Sequence, residues 1–123
     1  MTTPRKFTIP LTTDASGDVT AYSPYLSGVI EAIQYVKTDF ADGVDFTITA
    51  AATGETIWTE SNVNAAVIKH PRAGTHSTVG VALLYAAGGA AVSDKLVLSR
   101  DRVKVIVGSG GDAKIGSIVV TLN

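Results

Sequence analysis

The chain contains no cysteine, which excludes disulfides, zinc–thiolate sites and thiol nucleophiles. It is also poor in charge: Asp, Glu, Lys and Arg make up 17% of its 123 residues, and the formal net charge is -1. That balance argues against a nucleic-acid partner, because phosphate neutralisation needs a basic surface. A surface with so little charge stays soluble through Thr, Ser and Gly or is covered by a partner, which hints at assembly.

Long apolar runs are missing as well. The N-terminus, MTTPRKFTIP, lacks the apolar stretch of a signal peptide. The longest uncharged stretch, Ala73 to Ser93, is broken by polar residues and by the pair Gly88-Gly89. It is too polar to span a bilayer, and we expect no membrane partner.

Catalytic and metal-binding motifs are likewise absent. The chain has no G-x-S-x-G elbow and no P-loop, and its two histidines, His70 and His76, match no metal signature. The three aspartates within residues 39–45 lack the further ligands and terminal glutamate of an EF-hand loop. We therefore predict a non-enzymatic protein with no catalytic residues, metal, cofactor or small-molecule substrate.

The stretch from Gly43 to Trp58 shows the clearest local pattern. Apolar and polar residues alternate strictly from Val44 to Ala50, as expected for a strand with one buried face. Thr53-Gly54-Glu55 offers a tight reversal, and a second strand follows with the only tryptophan. The sequence predicts a central β-hairpin here.

Comparable patterns along the chain predict eight to ten short strands at spacings of about 8–12 residues, separated by turn signals. The segment Ser27 to Thr38 is compatible with a short helix, but its β-branched residues favour a strand. Ser77 to Tyr85 alternates weakly and is predicted to be a buried strand. We expect one all-β domain over residues 1–123, an antiparallel β-sandwich of jelly-roll type, with an immunoglobulin-like sandwich or a small β-barrel as alternatives.

The aromatic residues permit a different function. A carbohydrate-binding or adhesin module would stack sugars on exposed rings. Core packing is the commoner fate of a lone tryptophan in a small β protein. The residues that would form such a platform are Trp58, Tyr22, Tyr25, Tyr35 and Tyr85.

Several phrases of the sequence together resemble a known group of proteins. These phrases are VTAYSPYLSGVIEAIQYVK, FADGVDFTITAAATGETIWTESNVNA, HPRAGTHSTVGVALLYAAGG, VSDKLVLSRDRVKVIV and GSGGDAKIGSIVVTL. In their order they resemble small structural proteins from the head and tail gene modules of tailed bacteriophages and prophages. The resemblance covers most of the chain after Asp18 and carries no functional motif.

The resemblance implies a virion protein that is made in the host cytoplasm and has a jelly-roll or β-tulip fold. Its implied role is a capsid decoration (cement) or minor head protein that binds the major capsid protein or neighbouring virion subunits and forms homo-oligomers. A head–tail connector or a tail component is the alternative role.

Two segments are the candidates for such contacts. The N-terminus, Met1 to Pro10, offers an extended arm, and the loop from His70 to His76 carries varied polar groups. The predicted interface residues are Arg5, Phe7, His70, Arg72 and His76.

Overall fold

The chain folds into ten β-strands, and the computed structural model, which describes residues 3–123, contains no helix in that range. The strands are β1 (Arg5–Thr12), β2 (Val19–Tyr22), β3 (Leu26–Lys37), β4 (Val44–Ala50), β5 (Thr56–Val63), β6 (Val67–Lys69), β7 (Arg72–Gly74), β8 (Ser93–Asp101), β9 (Val103–Gly108) and β10 (Ile115–Leu122).

The strands form two antiparallel sheets that face each other across one core. One sheet has the order β1-β10-β3-β8-β7, with β6 also paired to β3, and the other has the order β2-β9-β4-β5. Apart from the β4–β5 hairpin and the β6–β7–β8 excursion, each connection crosses from one sheet to the other. This is the jelly-roll strand order, so the predicted antiparallel β-sandwich is confirmed.

The segment with mixed helix and strand signals is the long strand β3. Its inward side chains include Ile30, Ile33 and Tyr35, all fully buried. Strand β10 pairs along one edge of β3, while β8 and β6 share the other edge. The preference for a strand is confirmed, because both edges and one face of this segment are covered by other strands.

The central hairpin is formed by β4 and β5. Gly54 adopts φ +76° in the connecting turn, a left-handed conformation that glycine reaches without steric cost. A bulge in β5 leaves Ile57 without its own partner on β4, and both Ile57 and Trp58 are buried. Trp58 therefore belongs to the core.

A row of aromatic rings joins the two sheets. The Phe46 ring lies 4.7 Å from Tyr35 in the opposite sheet and 5.3 Å from Trp58, and Tyr35 lies 6.1 Å from Phe40. Burial, with a smaller contribution from the charge of Asp42, raises the pKa of Tyr35 to about 12, so its hydroxyl is neutral at all ordinary pH values.

The N-terminal segment belongs to the sandwich from Arg5 onward. Strand β1 pairs with β10 over its full length and forms the outer edge of its sheet. Pro10 is tolerated there because an edge strand needs hydrogen bonds on one side only. Of the predicted arm, residues 5–10 thus lie in the sheet, and Met1 and Thr2 lie outside the described residues.

Candidate interaction surfaces

A long insertion between β7 and β8 leaves the sandwich, and we call residues 75–92 the insertion. Its two ends are held together, since the Thr75 N–H and hydroxyl donate to the Val92 carbonyl at 2.8 and 2.7 Å. Midway, Leu83 returns to this base: its N–H donates to the Thr75 carbonyl, and its carbonyl accepts from Val92. The insertion is therefore divided into two lobes.

Each lobe is closed by its own backbone hydrogen bonds. In the first lobe the Ser77 N–H donates to the Val81 carbonyl at 2.8 Å. In the second the Tyr85 N–H donates to the Ala90 carbonyl at 3.0 Å. These bonds give the lobes a defined shape although they do not pack into the core.

The insertion exposes apolar side chains. Val79 is 83% exposed, Tyr85 76% and Val81 61%. The prediction of a buried strand from Ser77 to Tyr85 is wrong: alternation shows that a face can be buried, but here no other element of residues 3–123 covers it. Lys, Arg, Asp and Glu are all absent from Ala73 to Ser93, so this surface is uncharged as well as apolar.

The predicted interface residues fall into two separate groups. Arg5 and Phe7 lie on β1 at one edge of the larger sheet. His70, Arg72 and His76 lie at or next to β7, the opposite edge. A single flat contact therefore cannot include both groups. The predicted interface residues belong to two separate edges of the larger sheet.

Some of these side chains already make contacts within the molecule. The Arg5 guanidinium donates to the Ser27 carbonyl at 2.8 Å, while Phe7 is half-buried against the core. Arg72 donates to the carbonyl of Pro71 at 2.7 Å. His70 and His76 are exposed, and the His70 Nδ1 lies 3.2 Å from the Glu31 carbonyl oxygen.

The two ends of the sandwich differ in chemistry. At one, which we call the arginine end, the β2–β3, β4–β5 and β8–β9 connections meet: Ser23 and Ala51 both donate backbone hydrogen bonds to β8–β9 carbonyls. The Arg102 guanidinium lies over the Tyr22 ring at 4.3 Å and over the Tyr25 ring at 5.3 Å, a cation–π arrangement. Tyr25 is 71% exposed.

The buried carboxylate of Asp101 supports the arginine end. It accepts hydrogen bonds from the backbone N–H groups of Ala52 (2.9 Å) and Arg102 (2.7 Å). These bonds, the one from Ala52 above all, hold the pKa of Asp101 below its ordinary value. The carboxylate thus ties the β4–β5 turn to the β8–β9 connection that carries Arg102.

At the opposite end, which we call the aspartate end, the β1–β2, β3–β4 and β9–β10 connections meet. A depression of about 440 Å³ opens there beside β2 and β9. Asp14 and Asp18 line it together with Ile106 and Gly108. The Asp14 carboxylate accepts the backbone N–H groups of Ser16 (2.9 Å) and Asp18 (3.0 Å), which fixes the loop at the rim.

The aromatic residues do not form one platform. Trp58 and Tyr35 lie in the core, Tyr22 and Tyr25 lie at the arginine end, and Tyr85 lies on the insertion. The Tyr22 ring is also occupied by Arg102. A sugar-stacking surface made of all five residues is therefore not present.

Residues 3–123 contain no group of three or more His, Cys, Asp or Glu side chains placed to hold a metal ion. The aspartates between residues 39 and 45 have separate partners: Asp39 accepts the Ile115 N–H, Asp42 pairs with Lys37, and Asp45 accepts the Asn62 N–H. In the same range, no helix has the length and apolar character needed to cross a membrane.

No protein-family model, curated protein or solved structure matches this chain. Functional inference therefore rests on the surfaces themselves. The sequence signal for the insertion was present in the uncharged run from Ala73 to Ser93. The sequence contained no comparable signal for the two ends, because their residues come from connections far apart in the chain.

Proposed function

We propose that this protein is a non-enzymatic virion structural protein of a tailed bacteriophage or prophage, a capsid decoration or minor head protein. It attaches to the major capsid protein, or to a neighbouring virion subunit, through the insertion. The observation that carries the proposal is an uncharged insertion with highly exposed apolar side chains, since contiguous apolar surface on a small protein marks an interaction site.

Two further observations support the proposal. The order of sequence phrases resembles the phage structural proteins described above. The jelly roll is a fold that viral capsid domains use, although the same fold also serves lectins and enzymes. The surface chemistry is therefore the stronger argument, and it predicts an apolar, uncharged partner surface, because covering charged groups with the insertion would cost their hydration.

Mass spectrometry of purified particles tests the role directly. We expect many copies of the protein in each mature virion. A copy number that fits a single ring would instead identify the alternative role, a head–tail connector. Absence from purified particles would refute the virion assignment.

Variants test the attachment surface. Replacing Leu84 and Tyr85 together by serine should abolish incorporation into particles while leaving the free protein folded, because both side chains are exposed. Val97→Ser is the matched control, since Val97 is also apolar and 62% exposed but lies on β8. Equal loss of incorporation in the two proteins would show that the insertion is not the contact.

A further inference from the structure

The charged side chains are segregated between the two ends of the sandwich, although the overall net charge is only -1. The aspartate end and the loops around it hold six acidic and two basic side chains: Asp14, Asp18, Asp39, Asp42, Asp45, Asp112, Lys37 and Lys114. The arginine end holds five basic and two acidic side chains: Arg5, Lys6, Arg100, Arg102, Lys104, Glu55 and Asp101. The molecule is therefore electrically polarised along its strands.

The arginine end presents a group prepared for a carboxylate. The Arg102 guanidinium lies against the Tyr22 and Tyr25 rings, which offer its N–H groups no strong acceptor, so these donors can bind a carboxylate. Within residues 3–123 no carboxylate lies within ion-pair distance of this guanidinium. Tyr and Arg are also the residues that contribute most often to binding energy at protein interfaces.

The aspartate end supplies the complementary charge at an open depression. Its depression is concave and is lined by Asp14 and Asp18 beside the apolar side chain of Ile106. The Asp18 carboxylate makes no hydrogen bond or ion pair with the residues described, so its charge is free to meet a cation. An aromatic ring and a guanidinium fit such a mixed apolar and acidic lining.

Both surfaces lie on the same strand pair, β2 and β9. Val19 and Val107 pair near the depression, and Tyr22 and Lys104 pair near the arginine end. The two surfaces are fixed near opposite ends of these strands, on the outer face of the sheet, so one molecule cannot bring its own arginine end onto its own depression. A second copy can.

We propose that copies of this chain associate head to tail, with Arg102 and Tyr25 of one copy seated in the Asp14–Asp18 depression of the next. Repeated in one direction, this contact between two different surfaces is heterologous and produces a ring or an open row of copies. It does not use the insertion and so does not depend on the proposed function. The insertion stays free for another partner.

Sedimentation velocity of the full chain tests the proposal. We expect species larger than the monomer at about 0.01 M salt and their dissociation at about 1 M salt, since the screening length falls from about 30 Å to about 3 Å. A chain that remains monomeric at low salt and high protein concentration overturns the proposal. Association that resists high salt equally overturns it, because it would be apolar in origin.

Charge reversal at each end provides the sharper test. Arg102→Glu and Asp18→Lys should each weaken self-association at least about tenfold, because each places like charges together at every contact. Mixing the two variants should restore it, since every contact between unlike chains then joins opposite charges. Failure of the mixture to recover association, with both variants folded by circular dichroism, overturns the pairing.

Two further variants serve as controls. Arg72→Glu makes the same change in charge at the β7 edge, away from both ends, and should leave self-association unchanged. Tyr25→Ala removes the exposed ring without altering charge and should weaken association, which keeps the proposal testable if Arg102→Glu does not fold. Association lost in Arg72→Glu, or retained in Tyr25→Ala and Arg102→Glu alike, contradicts the proposed contact.

Discussion

The central hairpin and the insertion are both rich in apolar residues, yet they differ completely in burial. In β4 every second side chain, from Val44 to Ala50, points into the core and meets the opposite sheet. In the insertion Val79, Val81 and Tyr85 are among the most exposed large apolar side chains of residues 3–123. Apolar composition alone therefore does not determine burial: a segment is buried only where the fold provides a second surface to cover it.

The largest expected change in stability comes from removing a core side chain of the central hairpin. Trp58→Ala should lower the free energy of unfolding by about 3–5 kcal/mol, because it removes a buried ring stacked on Phe46 and leaves a cavity. Tyr85→Ala, the matched change in the insertion, should change it by no more than about 0.5 kcal/mol. Denaturant titrations of both variants measure the difference, and similar losses would mean that the insertion also contributes to the core.

A smaller effect is expected from overfilling the core. Gly116 is buried on β10, and a Cβ atom there would lie 3.0 Å from the Phe40 ring. Gly116→Ala should therefore cost about 1–3 kcal/mol, and adding Phe40→Leu should recover part of that loss.

Gly80 in the insertion is the control for this second prediction. An added Cβ at Gly80 meets nothing within 4 Å, although its φ of +82° remains unfavourable for alanine. Gly80→Ala should thus cost only about 1–2 kcal/mol of backbone strain, which Phe40→Leu leaves unchanged. Recovery in both backgrounds would show that Phe40→Leu acts in some general way and not through the contact with Gly116.

The comparison of the central hairpin with the insertion also shows which parts of the fold the sequence could predict. Alternation locates β4 because half of its side chains face the core, and the reversal at Thr53-Gly54-Glu55 locates the start of β5. Ile115–Leu122 has the bounds that the sequence predicts. The same alternation misplaces Ser77–Tyr85, because no local pattern states whether a partner surface exists. The ends were out of reach, since residues as distant as Tyr25 and Arg102 meet only after the strands have crossed between sheets.

Acid should lower the stability of the sandwich through its carboxylates, whereas the insertion contains no Asp or Glu. Trp58 Nε1 and Lys69 Nζ each donate to a Glu60 oxygen at 3.2 Å, and these contacts lower the pKa of Glu60 below its ordinary value of 4.5. A carboxyl with a lowered pKa in the folded state stabilises it fully above pH 4.5, and that contribution is lost as the pH falls through the folded pKa. The effect is small because the Glu60 and Lys69 side chains are both partly exposed, so solvent screens their interaction.

Thermal unfolding of Glu60→Gln as a function of pH measures this contribution. The variant should be less stable than the natural chain at neutral pH and should approach it in acid, with a shallower decline below pH 4.5. Glu55→Gln removes an exposed carboxylate at the arginine end and serves as the control. Parallel curves for the natural chain and Glu60→Gln would show that this contact adds no pH-dependent stability.

Removing the insertion itself should also change the stability of the fold only slightly. Replacing residues 76–91 by Asn-Gly joins Thr75 to Val92 through a two-residue turn of the type that closes β-hairpins. The Thr75 N–H already donates to the Val92 carbonyl, and without Leu83 the Thr75 carbonyl and the Val92 N–H become free to bond each other.

A shorter loop favours folding by roughly 0.6 kcal/mol for each halving of its length, and the lost hydrogen bonds of the two lobes offset part of that gain. We expect the free energy of unfolding to stay within about 1 kcal/mol of the full chain, with unchanged head-to-tail association and no incorporation into particles. Denaturant titration, sedimentation and particle binding separate these outcomes. If the shortened chain fails to fold, the insertion contributes to the stability of the core, as the central hairpin does. If the shortened chain folds and still enters particles, the attachment surface lies outside the insertion.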